Sequence, residues 1–279
     1  MGCLYIVGTP IGNLEDISKR ALKTLEKADF IIAEDCRVTL KLLNRYEINK
    51  SLISYHKFTD IKKVKNIVNR LVNGETAALV SDAGMPCVCD PGVNIVSCCY
   101  ENNVKVSVVP GPCALISAIC LSGLDCSRFT FYGFLSTTTK NRVKALEFLK
   151  ELEHIVILYE APHKLVKTLK DLLKYFKDRE IVLVKEMTKI YENVEITTIA
   201  NALTKYSLIK SVKGEYVIII KGKQVLKKPE VSLKEAVDFA KQLMQKGESA
   251  SFSAKKAAKC LNYKKSEIYK ALNLGEDII

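Results

Sequence analysis

Three histidines and no C-x-x-C pair leave this 279-residue chain without the ligand spacing of a zinc site, and no metal is expected. No apolar run approaches the length that spans a bilayer. The longest, Cys113 to Leu124, carries Ser117 and Ser122 and reads as a buried helix. The N-terminal MGCLYIVG has no basic stretch ahead of its apolar residues, which argues against a secretory signal. Ile6 stands where a myristoylation motif wants Ser or Thr. A cytoplasmic protein without membrane attachment is expected. The first strand is followed by GTPIGN, not G-x-G-x-x-G, so a dinucleotide held on a helix N-terminus is disfavoured. The ten cysteines lie mostly in apolar company and read as small buried hydrophobes.

Hydrophobic residues make up 48% of the chain and charged ones 27%, the profile of a globular protein with enough length for two domains. Lysine and arginine outnumber aspartate and glutamate 43 to 31, a net charge of +12, which favours a polyanionic partner.

The chain is organised around Ala77 to Gly92, AALVSDAGMPCVCDPG. Ala77 to Val80 has the unbroken apolar character of a strand buried on both faces. Ser81-Asp82-Ala83-Gly84 ends it, Pro86 blocks a helix, and Asp90-Pro91-Gly92 opens the next. A loop this long at the carboxyl end of a parallel strand is where open α/β sheets place ligands. Other strands are read at Leu4–Val7, Phe30–Ala33, Leu52–His56 and Val104–Val109, several of them ending in ligand-edge loops, including the rigid Pro110-Gly111-Pro112-Cys113. Helices are read from an Asp16 cap to Ala28, at Asp60–Val72 and at Val93–Tyr100. This is a doubly wound α/β sheet with an atypical cofactor mode.

Leu124 to Arg128 reads as a linker to a second α/β unit with strands Phe129–Phe134, Ile155–Tyr159, Ile181–Val184 and Tyr216–Ile220. Ser136 to Lys140 is a polar, mobile loop before a helix from Arg142 to Leu152, and a further helix runs to Phe176. Lys221 to Glu230 is a basic linker. Ser232 to Leu274 is helical throughout, with a break at Asn262-Tyr263 and a basic second helix, in the manner of a helix-turn-helix unit. The domains are set at 1–124, 125–224 and 225–279.

In order, VGTPIGNLEDIS, AEDCR, SDAGMPCVCDPG, PGPCA, GFL, YEAPHK, EMTK and KGE resemble the family of small-subunit ribosomal RNA methyltransferases within the tetrapyrrole methylase superfamily, over essentially the whole chain. The resemblance implies two α/β domains with a cleft between them, S-adenosylmethionine as donor, a homodimer, and 2′-O-methylation of a decoding-site cytidine in 16S ribosomal RNA of the small subunit. It places the donor among Pro10, Asp82, Gly84, Met85, Val88, Gly111, Cys113, Ala114, Tyr159, Met187 and Glu215. Met85 and Cys36 stand where the family has Thr, Ser136 where it has Pro, and Lys164 where it has Arg. His56-Lys57-Phe58-Thr59-Asp60 replaces H-x-x-N-E, which leaves Asp60 as the remaining acid.

Methyl transfer to a ribose hydroxyl needs in-line positioning and a group to take the proton. Glu34, Asp35, His56 and Glu186 are the candidate bases, with Arg37 to orient an acid or grip a phosphate. Adjacent carboxylates such as Glu34 and Asp35 point to opposite sides of an extended chain, so at most one faces the cleft there. Lys140, Arg142, Lys164, Lys185 and Lys189 are candidates for RNA backbone, with the tail's lysines extending that surface. Asp82 is expected to cap the backbone of its own loop. Two other readings are open: a small-molecule methylase of the same superfamily acting on a tetrapyrrole or diphthine, and a non-enzymatic nucleic-acid-binding regulator.

Overall fold

The computed structural model describes residues 2–224, 232–261 and 263–274. The chain divides into two compact units, Met1–Lys223 and Gln224–Ile279.

In the larger unit, β1 (Cys3–Val7), α1 (Lys19–Lys27), β2 (Phe30–Ala33), α2 (Cys36–Arg45), β3 (Ser51–Ser54), α3 (Ile61–Val72), β4 (Ala77–Val80), α4 (Val93–Glu101) and β5 (Lys105–Val109) alternate. The five strands form one parallel sheet in the order β3-β2-β4-β1-β5. Every residue of β2 and β4 is buried, as continuous apolar runs demand when helices cover both faces. One face packs on α3 and α4 through Ile67, Leu71 and Ile95, the other on α1 and α2 through Leu25 and Leu43. β4 sits in the middle, so the loop after it leaves from the centre of the sheet's carboxyl edge.

The second half starts with α5 (Ala114–Ser122), then β6 (Phe129–Phe134), α6 (Thr139–Leu149), β7 (Ile155–Glu160), α7 (Leu165–Phe176), β8 (Glu180–Lys185), β9 (Asn193–Thr198), α8 (Ile199–Ser207) and β10 (Tyr216–Ile220). Its sheet is mixed, in the order β6-β7-β10-β8-β9, with β6 and β7 parallel and β10 antiparallel to both neighbours. α5 lays Leu115 and Ala118 against one face of this sheet, and α6, α7 and α8 cover the other. The N-terminal end of β10 therefore lies at the carboxyl ends of β7 and β8. Ligand-edge loops of both sheets meet there: a Cβ added to Gly12, after β1, would lie 2.6 Å from Lys189 Cγ and 2.9 Å from the Met187 carbonyl, after β8.

Several sequence expectations change. Asp16 does not cap α1; it lies in a 3-10 turn capped by Asn13, and Ser18 caps α1 by accepting the Ala21 N–H at 3.0 Å. The Cys113–Leu124 run is not buried all round, since α5 exposes Ile116 and Leu121. Cys89, Cys120 and Cys260 are exposed, not core thiols. α6 begins at Thr139, inside the stretch read as a mobile loop. β9 and α8 were not anticipated: NVEITT places its polar residues on an edge strand, where alternation is weak. The basic linker at 221–230 and Asn262 of the tail's break lie largely outside the described residues.

In the smaller unit, α9 (Leu233–Gln245), α10 (Ala250–Leu261) and α11 (Lys265–Leu274) enclose Ala236, Val237, Ala240, Ala254, Ala257 and Ile268. Ser232 and Glu235 start α9 with a reciprocal capping box. Lys255, Lys256, Lys259, Lys264, Lys265 and Lys270 are all exposed. Among the described residues no helix is long and apolar enough to cross a membrane.

Candidate active site

Four loops at the carboxyl edge of the first sheet are fastened to one another. Thr9 and Gly84 exchange backbone hydrogen bonds, Thr9 N–H to the Gly84 carbonyl at 2.9 Å and Gly84 N–H to the Thr9 carbonyl at 3.1 Å. Gly84 takes a φ of +82°, which glycine adopts without strain. Thr9 Oγ1 also donates to the Ser81 carbonyl at 3.2 Å. Gly8 and Gly111 let the loops after β1 and β5 touch, for a Cβ on Gly111 would lie 2.8 Å from Gly8 Cα. Asp82 Oδ1 accepts the Asp35 N–H at 3.0 Å and so ties the loop after β4 to the start of α2. The expected capping of its own loop is thus replaced by a bond to a neighbouring one.

These loops wall a cavity of about 540 Å³, closed on the far side by the second sheet. Ile11, Met85, Val88, Met187 and Val217 give apolar surface; Glu34, Asp82, Asp90 and Glu215 bring carboxylates. Cys113 and Ala114 contribute the start of α5, and Tyr159 stacks edge-on with Phe131 and Phe134 at 4.9 and 5.6 Å. Burial raises the Tyr159 phenol well above its ordinary range, so it stays neutral and serves as a wall with a polar tip.

The carboxylates differ. Burial, then the charges of Asp90 and Asp82, pushes the Glu34 pKa up. Asp90 is raised for the same first reason, with Asp82 adding to it and a hydrogen bond to Ser81 opposing. Asp35 lies outside the lining: it caps α2, pairs with Arg37 at 2.6 Å and is held at about 2, chiefly by that hydrogen bond. Arg37 is 88% exposed and occupied by Asp35. Glu186 also falls outside the lining. Its burial would raise its pKa, but hydrogen bonds from Lys189 at 2.9 Å and from the Glu215 N–H at 2.9 Å leave it lowered. His56 is exposed beyond the end of β3, its N–H donating to Thr59 Oγ1, and Asp60 caps α3 through the Lys62 N–H.

Of the donor candidates, Asp82, Met85, Val88, Cys113, Ala114, Tyr159, Met187 and Glu215 line the cavity, while Pro10, Gly84 and Gly111 stand behind it in the loop frame. None of the five basic candidates lines it. Arg142 is a correction: it is 7% exposed, its Nε donating to Asp171 Oδ2 at 2.7 Å and its Nη2 to Thr168 Oγ1 at 2.7 Å. Thr168 in turn donates to Glu160, buried at the cavity floor, whose other oxygen accepts the Ala161 N–H at 2.9 Å. This chain sets the Glu160–Lys164 loop and is unavailable to RNA. Lys189 is spent on Glu186 and Glu215. Lys140 is exposed, and Lys164 and Lys185 partly so. Asp90, Cys89, Glu160 and His163 line the cavity without having been singled out; only their place within the SDAG and YEAPHK motifs signalled them.

A profile of the tetrapyrrole (corrin/porphyrin) methylases matches residues 3–203. The chain belongs to this family. It is 44% identical to ribosomal RNA small subunit methyltransferase I of Thermotoga maritima, over 80% of this chain and the whole of that protein. The protein of the same name from Synechocystis is 39% identical over 99% of this chain and all of that one, and that of Bacillus subtilis 38% over 99% and 96%. Among solved structures, diphthine synthase superposes with a TM-score of 0.61 at 17% identity, over 81% of this chain and 91% of that one. Uroporphyrin-III-C-methyltransferase of Thermus thermophilus follows the same fold, with a TM-score of 0.56 at 18% identity, over 79% and 94%. The two-sheet architecture is that of these structures.

Proposed function

We propose that this chain methylates the ribose 2′-hydroxyl of a cytidine in the decoding region of 16S ribosomal RNA, with S-adenosylmethionine as donor. The observation that carries the reading is the cavity itself, a rigid frame of Pro- and Gly-rich loops with apolar and sulfur-bearing walls and carboxylates on one side, in a chain whose full-length relatives are ribosomal RNA methyltransferases by name.

The residues present fit the donor. The volume, about 540 Å³, suits a nucleoside-sized ligand. The close approach of Gly8 and Gly111 locks together the loops that carry the lining, and Glu34, Asp82 and Asp90 complement a cationic sulfonium. Met85, Val88, Cys113, Ala114 and Met187 would hold the donor, which when bound supplies an electrophilic methyl group. The chain's own work is positional: it fixes the hydroxyl's line of approach and keeps water out. Glu34 is the group that takes the hydroxyl proton. Its raised pKa makes it a better base than Asp35 or Glu186, whose pKa values are depressed by Arg37 and Lys189.

The substrate is the small ribosomal subunit, met in the cytoplasm, and the enzyme works as a homodimer; apolar Ile116 and Leu121 exposed on α5 support a partner copy there. The exposed lysines of α10 and α11 support an RNA-gripping role for the smaller unit. Transfer of labelled methyl to small subunits from a strain lacking the activity, followed by nucleotide mapping, tests the proposal. Label at one ribose is the expected result; label appearing in a porphyrinoid instead would replace it with the small-molecule reading.

A further inference from the structure

The second sheet carries another concavity, of about 390 Å³, at the same end as the donor cavity. Register places Glu160, Tyr216, Lys185 and Asn193 side by side across β7, β10, β8 and β9. Glu160 and Tyr216 wall the donor cavity; Tyr216, Lys185 and Asn193 wall the second hollow. The whole row spans three strand spacings, about 14 Å. One loop divides the two spaces, with Glu215 on the donor side and Lys213 on the other.

The second hollow has an aromatic floor and a cationic rim. Tyr206 and Tyr216 are buried, their rings edge-to-face at 5.8 Å. Lys185, Lys205 and Lys213 surround them. The nearby carboxylates are already matched. Glu195 accepts from Lys205 Nζ at 2.8 Å and from the Tyr206 hydroxyl at 3.1 Å, and Glu186 is taken by Lys189 at 2.9 Å. Lys185 Nζ stands 5.9 Å from the Tyr216 ring centre, and neither it nor Lys213 forms an ion pair among the described residues. Two ammonium groups without an ion pair among the described residues, of which Lys185 acts on Glu186 only at longer range, therefore rim one hollow, a sidewall away from the reaction.

We propose that this hollow binds a phosphodiester of the RNA strand next to the methylated nucleotide, with Lys185 and Lys213 supplying the counter-charge; this rests on the RNA reading given above. A polymer threading from one space to the next explains why the two share a wall, as a free anionic metabolite would not. Lysine suits the task, being a mobile point charge with three donors, whereas a fixed bidentate grip would call for arginine.

The test compares wild type with the double variant Lys185→Gln/Lys213→Gln and with Lys185→Arg/Lys213→Arg. Binding to 16S ribosomal RNA is measured by filter retention over a salt series, and methyl transfer to small subunits at saturating donor. The Gln pair is expected to flatten the slope of log affinity on log salt by about 0.7, the value for one phosphate of a single strand, and to raise KM for subunits about tenfold. Maximal rate and calorimetric donor affinity should hold, and the Arg pair should restore binding. An unchanged slope and KM in the Gln pair, while wild type methylates, overturns the site and leaves the function standing. If wild type transfers no methyl to any RNA, the functional reading fails instead, and the salt slopes alone then decide whether the hollow binds nucleic acid.

Discussion

At the scale of single residues, the proposed chemistry rests on Glu34. Its pKa is raised first by burial and then by Asp90, Asp82 and Asp35, against a hydrogen bond from the Asp82 N–H. A base must be ionised to act, so kcat/KM should fall as pH drops through that raised value. Asp90→Asn removes the largest of the neighbouring charges, and the acidic limb of the pH profile should move to lower pH. A limb that stays in place belongs to some other group. Glu34→Gln should lose rate by roughly a hundredfold or more with donor affinity kept. Stability has the opposite sign. A carboxyl whose folded pKa is raised binds its proton more tightly in the native state, so native stability declines as pH climbs from the unfolded value to the folded one. Urea midpoints of Glu34→Gln followed across that window should show a shallower decline than wild type. Asp35, at about 2, contributes in the reverse direction, and only through an exposed pair.

Elements show how a surface charge in the sequence becomes an anchor in the fold. Arg142 lies in the first turn of α6, where lysine and arginine ordinarily face water. It is instead buried against α7, and through Thr168 it fixes Glu160 under the cavity. Arg142→Met should destabilise the protein by about 3 kcal/mol or more, because Asp171 is left partly buried and unpaired. Chemical denaturation measures this directly; a loss of RNA affinity without a loss of stability would return Arg142 to the RNA surface. The partners lie 26 and 29 residues away, which is why local pattern missed them. Strands β2 and β4 were legible because burial on both faces leaves an apolar run with no competing period. Edge strand β9 was not, because one of its sides meets water. The loop frame was legible through its prolines and glycines. What those residues could not convey is that Asp82 reaches sideways to Asp35, since that bond depends on β2 and β4 being neighbours in the sheet.

The whole molecule has a core that closes before its tail begins. The Thermotoga relative aligns in full with 80% of this chain, so a protein of that name exists without the remaining fifth. Truncation after Gln224 should leave donor binding and melting temperature intact, lower RNA affinity and flatten its salt slope. A lower melting temperature or a changed oligomer, at unchanged RNA affinity, would assign the three helices to packing instead. The closing of the core has a consequence for synthesis. β10 is the last strand made and the central one of its sheet, held between β7 and β8. Until Ile220 has left the ribosome, β6–β7 and β8–β9 are two separate ribbons, each presenting an apolar edge with unpaired backbone. At about 5–20 residues per second, the 35 residues between the end of β8 and that of β10 keep those edges open for seconds. A nascent chain stalled anywhere in that interval has its first sheet finished and its second unlocked, the form in which chaperones should find it.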